Sequence, residues 1–201
     1  GVRSVNIDLV YGLPHQTRDS VEATIGQVLA LAPDRIALFG YAHLPSRLTH
    51  QRLIDEKTLP RTVERFAQAN RAANLLVAAG YVRIGLDHFA LATDTLARGP
   101  VRRNFQGYTT DTAATLIGLG ASAIGRLEQG YVQNAVATGE YRRQVSEHGL
   151  ATAKGRALTE EDKARGHAIE QIICDLRFSA GELVSRFGAA AQPVLDDARL
   201  V

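Results

Sequence analysis

The chain has 201 residues, 45% apolar and 22% charged, enough for one large domain or one and a half with a core to bury. A formal net charge of +2 gives no general argument for nucleic acid or a membrane surface as partner, and no run of about 20 uncharged apolar residues suggests a membrane span. A single cysteine excludes an internal disulfide and fits a reducing, cytoplasmic setting, and nothing at the front reads as a signal peptide. Methionine is absent, a strand opens within a few residues of Gly1, and Ala198-Arg199-Leu200-Val201 closes without an ending signal. Those ends read as an excised piece of a longer chain.

Residues 5–11 form an almost unbroken apolar run closed by Gly12-Leu13-Pro14, which predicts a buried strand. Asp8 inside that run is costly to bury unless paired, so it is either a satisfied core residue or a ligand-binding residue near the strand end. Asp19 with Glu22 resembles a capping box, and Val21, Ile25, Val28 and Leu29 mark one apolar face of a helix that Pro33 ends. Residues 35–41 predict a second strand. The strand-helix-strand unit of roughly 30 residues suits a right-handed parallel crossover, with functional residues at the carboxyl ends.

A helix is predicted over 62–79, with Val63, Phe66, Asn70, Ala73 and Val77 in register and Gly80 as its stop. Residues 81–86 predict a strand ending on Asp87-His88-Phe89. A turn-rich basic segment follows over 97–110, then a small, glycine-rich stretch over 116–124 expected as a short strand. Residues 135–148 predict a helix stopped by Gly149. From residue 151 the character changes. Thr159 caps a helix with Glu160, Glu161 and Asp162 in its first turn and Ile169, Ile172, Ile173 and Leu176 as its face. Ser179 and Glu182 predict a capping box for a further helix burying Leu183, Val184 and Phe187. The division expected is 1–150 and 151–201, the second a small, truncated helical unit of winged-helix-like type.

Several constellations invite chemistry. Asp8, His43, Asp87 and His88 could meet at the carboxyl end of the sheet, and their types would allow a divalent metal, but no tight ligand spacing supports one. Gly118-Leu119-Gly120-Ala121-Ser122-Ala123 satisfies the dinucleotide fingerprint, with Glu140 about 20 residues on. Gly125 and Gly130 nevertheless spoil the helix whose N-terminus would hold a pyrophosphate, so these glycines read as close packing. Arg102 and Arg103 beside aromatic residues could bind single-stranded nucleic acid, though one cluster in a nearly neutral chain reads first as a solvated loop. Cys174, alone on a helix, reads as a packing residue.

Asp8-Leu9-Val10-Tyr11-Gly12-Leu13-Pro14 with Gln16-Thr17 resembles a motif of the coproporphyrinogen dehydrogenase group of radical S-adenosylmethionine enzymes. Tyr41-Ala42-His43-Leu44-Pro45, Gly85-Leu86-Asp87-His88-Phe89-Ala90 and Arg103-Asn104-Phe105-Gln106-Gly107-Tyr108-Thr109-Thr110 repeat the match in order. The resemblance implies an α/β fold: the C-terminal part of an incomplete (β/α) TIM-like radical S-adenosylmethionine barrel, then a small, mainly helical domain. It implies oxidative decarboxylation of two propionates of coproporphyrinogen III to vinyls, giving protoporphyrinogen IX, with a [4Fe-4S] cluster, S-adenosylmethionine and an electron donor. Residue by residue, it implies S-adenosylmethionine contacts at Asp8, Ala42 and Ile124, with Phe105 and Gln106 as neighbours. Arg103, and after it Arg47, are the implied contacts of the substrate propionates, since guanidinium pairs well with carboxylate. The family's three-cysteine cluster loop is absent from this sequence, so the chain alone is expected to be inactive. A related haem-binding chaperone is the alternative, sharing the Asp8 to Thr17 motif, and a plain helical interaction module a more distant one.

Overall fold

The computed structural model describes residues 2, 4–105 and 107–199. They divide into two compact units, 1–101 and 102–201. The helices predicted beyond residue 151 share the second unit with the strands that start at 102.

Unit 1 is a four-stranded sheet with two helices on one face. β1 (Asn6–Tyr11), β2 (Arg35–Gly40), β3 (Tyr81–Ile84) and β4 (His88–Leu91) lie in the order β1-β2-β4-β3. β1 and β2 run parallel, joined by α1 (Arg18–Ala30), as the crossover spacing predicts. α2 (Thr62–Ala78) then leads into a β3–β4 hairpin. Its second strand inserts antiparallel between β3 and β2, with Arg35 opposite Ala90 and Ala37 opposite His88. That last strand is a correction: 88–91 was expected only as the tail of a strand over 81–86. Gly85, at φ 56°, turns the chain there, so four residues on each side suffice for a hairpin.

β1 also differs from expectation. It lies at the sheet edge and alternates between exposed and half-buried rather than being buried throughout. Ile7, Leu9 and Tyr11 pack onto the core of Val21, Ile25, Val28, Ile36, Leu38, Ala72, Leu76, Tyr81 and Phe89, whereas Asn6, Asp8 and Val10 take the other face. α1 buries Val21, Ile25 and Val28 as its periodicity predicts. Its cap is Thr17, which exchanges hydrogen bonds with Ser20, and not Asp19. Glu22 instead receives two hydrogen bonds from Arg71 of α2, at 2.8 and 2.6 Å. α2 presents a different face from the one expected: Gln68, Ala72 and Leu76 are buried, while Val63 and Phe66 are 82% and 69% exposed.

In unit 2, β5 (Arg102–Asn104) and β6 (Gly107–Thr109) form a short hairpin. β7 (Ile124–Leu127), β8 (Gly130–Asn134) and β9 (Thr152–Ala157) form an antiparallel sheet, with α3 (Thr138–His148) between the last two strands. The strand expected over 116–124 begins only at Ile124; before it, Leu116 makes one isolated bridge to Arg126. Gly118 and Gly125 are there for closeness, since a Cβ on Gly125 would lie 2.9 Å from the Leu116 carbonyl oxygen. No helix follows the glycine-rich turn, so the dinucleotide reading fails in the structure too.

α4 (Glu160–Asp175), α5 (Ala180–Phe187) and α6 (Gln192–Ala198) pack around Ala164, Ala168, Leu183, Ala191 and Val194. The caps at Thr159 and Ser179 are as predicted, but two faces are not. α4 turns Ala164 and Ala168 inward and leaves Ile169, Ile172 and Leu176 exposed, and Val184 of α5 is exposed beside a buried Leu183. The small alanines let the three short helices approach closely, which a row of isoleucines would prevent. Ser179 accepts from the Glu182 amide, while the Glu182 carboxylate turns instead to Gln171 and His167, so the box is half made.

Candidate functional site

In unit 1 the sheet has one face covered by helices and one face without them. On the latter, register places Asp8 of β1, Ala37 of β2 and His88 of β4 in one row, with small Ala37 between two polar side chains. Asp8 is exposed and sits mid-strand rather than at the strand end, a second departure from its expected place. Its carboxylate accepts a 2.6 Å hydrogen bond from the Asn6 side chain, which holds it over the strand. His88 is paired through Nδ1 to the Asp87 carboxylate at 2.7 Å and meets the Phe39 ring edge-on.

The carboxyl ends of β1 and β2 are tied together by polar side chains that the sequence reading did not single out. Gln68, fully buried, accepts from the Gly12 amide at 3.1 Å and donates to the Gln16 carbonyl at 2.7 Å. Arg65, one turn earlier on α2, donates to the Tyr41 carbonyl at 2.6 Å. Gly12 has a left-handed φ of 83°, and a Cβ there would sit 2.9 Å from Arg65 Nε. The glycine of the Tyr-Gly-Leu-Pro motif thus lets a guanidinium lie against the loop. Gln51, 6% exposed in a 3₁₀ turn over Thr49–Leu53, donates to the Ala42 carbonyl at 3.0 Å and accepts from the Leu44 amide at 2.5 Å. These residues were missed because a lone Gln or Arg among apolar residues carries no spacing signal. The one available hint was Gln68 at helical spacing from Ala72 and Leu76.

Ala42 itself is exposed just beyond β2, and Arg47 is exposed five residues further on. His43 is engaged between Tyr41 and Glu56, at 3.3 Å on each side, so it and the Asp87–His88 pair belong to separate hydrogen-bonded groups. Among the described residues, no three His, Cys, Asp or Glu side chains gather as a metal site.

In unit 2, Arg103 and Tyr108 face each other across the β5–β6 hairpin, with the guanidinium 4.6 Å from the ring centroid. The Tyr108 hydroxyl donates to the Ile173 carbonyl, and the Arg103 amide donates to Glu170 of α4. Arg102 lies 3.5 Å from the same carboxylate. Phe105 is 56% exposed at the hairpin turn and stands edge-on to Tyr131. Gln106 lies outside the described residues. Ile124 is half-buried at the start of β7, opposite Gln133. The hairpin arginines are therefore held by a ring and a carboxylate rather than left as a solvated loop. Cys174 is partly buried, and burial, with Glu170 and Asp175 nearby, pushes its thiol up to about 11. That is a packing cysteine, far from the thiolate state an iron-sulfur cluster needs.

No family model matches the chain. Curated relatives do. An oxygen-independent coproporphyrinogen III oxidase from Cereibacter sphaeroides (strain ATCC 17025) is 50% identical over 199 residues, 97% of this chain and 44% of the relative. Proteins of the same name from Bradyrhizobium diazoefficiens and Pseudomonas aeruginosa are 48% and 42% identical, over 98% and 92% of this chain. A solved structure, described as coproporphyrinogen III oxidase (HemN) from Escherichia coli, a radical SAM enzyme, superposes with a TM-score of 0.84 at 40% identity. It is matched over 93% of this chain and 44% of its own length. The chain thus spans under half the length of the curated relatives it matches. The motif resemblance extends over the whole chain, and the α/β fold is that of the matching part of a radical SAM enzyme. No helix among the described residues is long and apolar enough to cross a membrane.

Proposed function

We propose, from the premise that this chain is homologous to part of the oxygen-independent coproporphyrinogen III oxidases, that it forms one wall of an S-adenosylmethionine and tetrapyrrole site. The reaction of such a protein would be the oxidative decarboxylation of two propionates of coproporphyrinogen III to vinyls. What carries the reading is one observation: 97% of the chain aligns at 50% identity with a protein of that name, and the fold agrees.

The helix-free sheet face supports the reading from the chemistry side. Asp8 offers an exposed carboxylate, already oriented by Asn6, to a polar or cationic part of S-adenosylmethionine. Ala42 stands at the adjacent strand's carboxyl end, where ligands of parallel α/β sheets gather. The same reading assigns Ile124, Phe105 and Gln106 to S-adenosylmethionine, by the motif resemblance alone. Arg103, steadied by Tyr108, is the proposed propionate contact, and Arg47 a second. S-adenosylmethionine would supply the hydrogen-abstracting radical when reductively cleaved. The three-cysteine ligand set of a [4Fe-4S] cluster is not among the residues of this chain, whose one cysteine is partly buried with its thiol pushed up to about 11. Cluster and electron entry are therefore assigned to no residue here.

The test is a chimera: the Cereibacter sphaeroides relative with its matching segment replaced by this chain, reconstituted without oxygen and given reductant, S-adenosylmethionine and coproporphyrinogen III. Release of carbon dioxide and formation of protoporphyrinogen IX are expected. Asp8→Ala should raise the KM for S-adenosylmethionine about 10- to 100-fold, the equivalent of one lost charged hydrogen bond of roughly 1.5–3 kcal/mol. A cluster-loaded chimera that instead binds haem stably and releases no carbon dioxide would overturn the reading in favour of the chaperone.

A further inference from the structure

Gln51 is nearly fully buried, yet it belongs to no apolar core cluster, and the rest of its 3₁₀ turn is exposed. Its amide oxygen accepts from the Leu44 N–H and its amide nitrogen donates to the Ala42 carbonyl, so one planar group spans the peptide units on either side of His43. The Ala42 carbonyl is thereby engaged. One of the two lone pairs of that oxygen is taken, so the main-chain group of Ala42 with its full capacity left to present is its N–H.

We infer that Gln51 is a positioning residue: it fixes the 42–44 backbone so that Ala42 meets an adenosyl ligand through its N–H, as a donor to a heteroaromatic or ribose acceptor. The inference rests on the proposal that Ala42 lines that ligand. It assigns a role to Gln51 that neither the motif nor the fold does. Removing the side chain frees the Ala42 carbonyl and the Leu44 N–H together, and the loop can then rotate its peptides toward water. The expected signature is selective. Ligand contacts made by the 42–44 backbone weaken, while contacts made elsewhere do not.

The experiment uses the cluster-loaded chimera and calorimetric binding rather than turnover. Gln51→Ala is expected to raise the Kd for S-adenosylhomocysteine about tenfold or more, raise the Kd for coproporphyrinogen III several-fold less because Arg103 is outside the loop, and speed hydrogen exchange of the Leu44 amide. Gln51→Glu keeps the acceptor for Leu44 but cannot donate to Ala42; it should restore Leu44 protection without restoring affinity. Unchanged S-adenosylhomocysteine binding in Gln51→Ala overturns the inference. Equal loss of both ligands overturns it as well, showing a merely structural residue. An unsubstituted chimera that binds coproporphyrinogen III but not S-adenosylhomocysteine removes instead the ligand reading on which the inference depends.

Discussion

Gln68 sits at the centre of the buried face of α2, where a leucine of similar volume would pack against Ala72 and Leu76. The amide is there because two backbone groups of the 12–16 loop end beside it. Gln68→Leu should destabilise the protein by roughly 1–3 kcal/mol in urea unfolding, the cost of leaving a buried polar group unpaired, although the substitution adds apolar contact. Asp94 is the second residue with a readable energetic role. Its side chain is 7% exposed, and burial alone would raise its pKa. The Arg35 guanidinium at 2.9 Å, the Leu96 amide and Thr95 outweigh burial and hold the carboxyl below its ordinary range. A depressed carboxylate contributes stability that is present above the unfolded pKa of about 3.9 and is lost as pH falls through the folded value. Chemical denaturation midpoints should therefore drop below about pH 4, and Asp94→Asn should flatten that limb while lowering stability at neutral pH. Of the residues proposed as contacts, Asp8 drew notice as a polar interruption in an apolar strand, which by itself left a core role and a ligand role both open. Ala42 and Ile124 drew none, because an exposed alanine and a half-buried isoleucine have no chemistry of their own to betray them.

At the level of elements, α1 and α2 make an instructive pair. α1 has one apolar stripe, so periodicity alone finds the buried face. α2 has two, because Val63, Phe66 and Val77 on one side compete with Ala72 and Leu76 on the other, and the competing stripe holds the bulkier residues. The core accepts alanines where the helix crosses the sheet closely, which hydrophobicity by itself cannot rank. Leu76→Ala should cost about 2–5 kcal/mol, whereas Phe66→Ala should stay within roughly 0.5 kcal/mol of the parent by equilibrium unfolding. The same misreading recurs in α4, where three isoleucines outweigh the alanines that actually face its neighbours. β4 escaped for a different reason: a four-residue strand just after a tight turn offers no periodicity to count.

For the whole molecule, the two units differ in how much apolar surface closes them. Unit 1 fully buries large aliphatic and aromatic side chains from all its layers, whereas the helical cluster of unit 2 fully buries three alanines, one leucine and one valine, with Phe178, Phe187 and Leu195 only half-buried against them. Burial free energy scales with apolar area, so the second cluster is held less tightly. Native-state hydrogen exchange should find the slowest amides in β2, flanked by β1 and β4, and markedly faster exchange in α5 and α6.

The insertion of β4 between β2 and β3 also sets an order of events as the chain folds. Its pairing with β3 spans a turn of a few residues and can close in microseconds. Its pairing with β2 encloses α2 and some fifty residues of chain, so it carries the loop-closure entropy of a distant contact. Topology therefore predicts that the hairpin forms first and that docking of that ribbon onto β2 carries the barrier. φ-values near zero at the β2–β4 contacts, found alongside slow folding, would contradict it. Slow folding of this sheet would then be a matter of topology, set by where one short strand was placed, and largely indifferent to how well the hairpin itself is made.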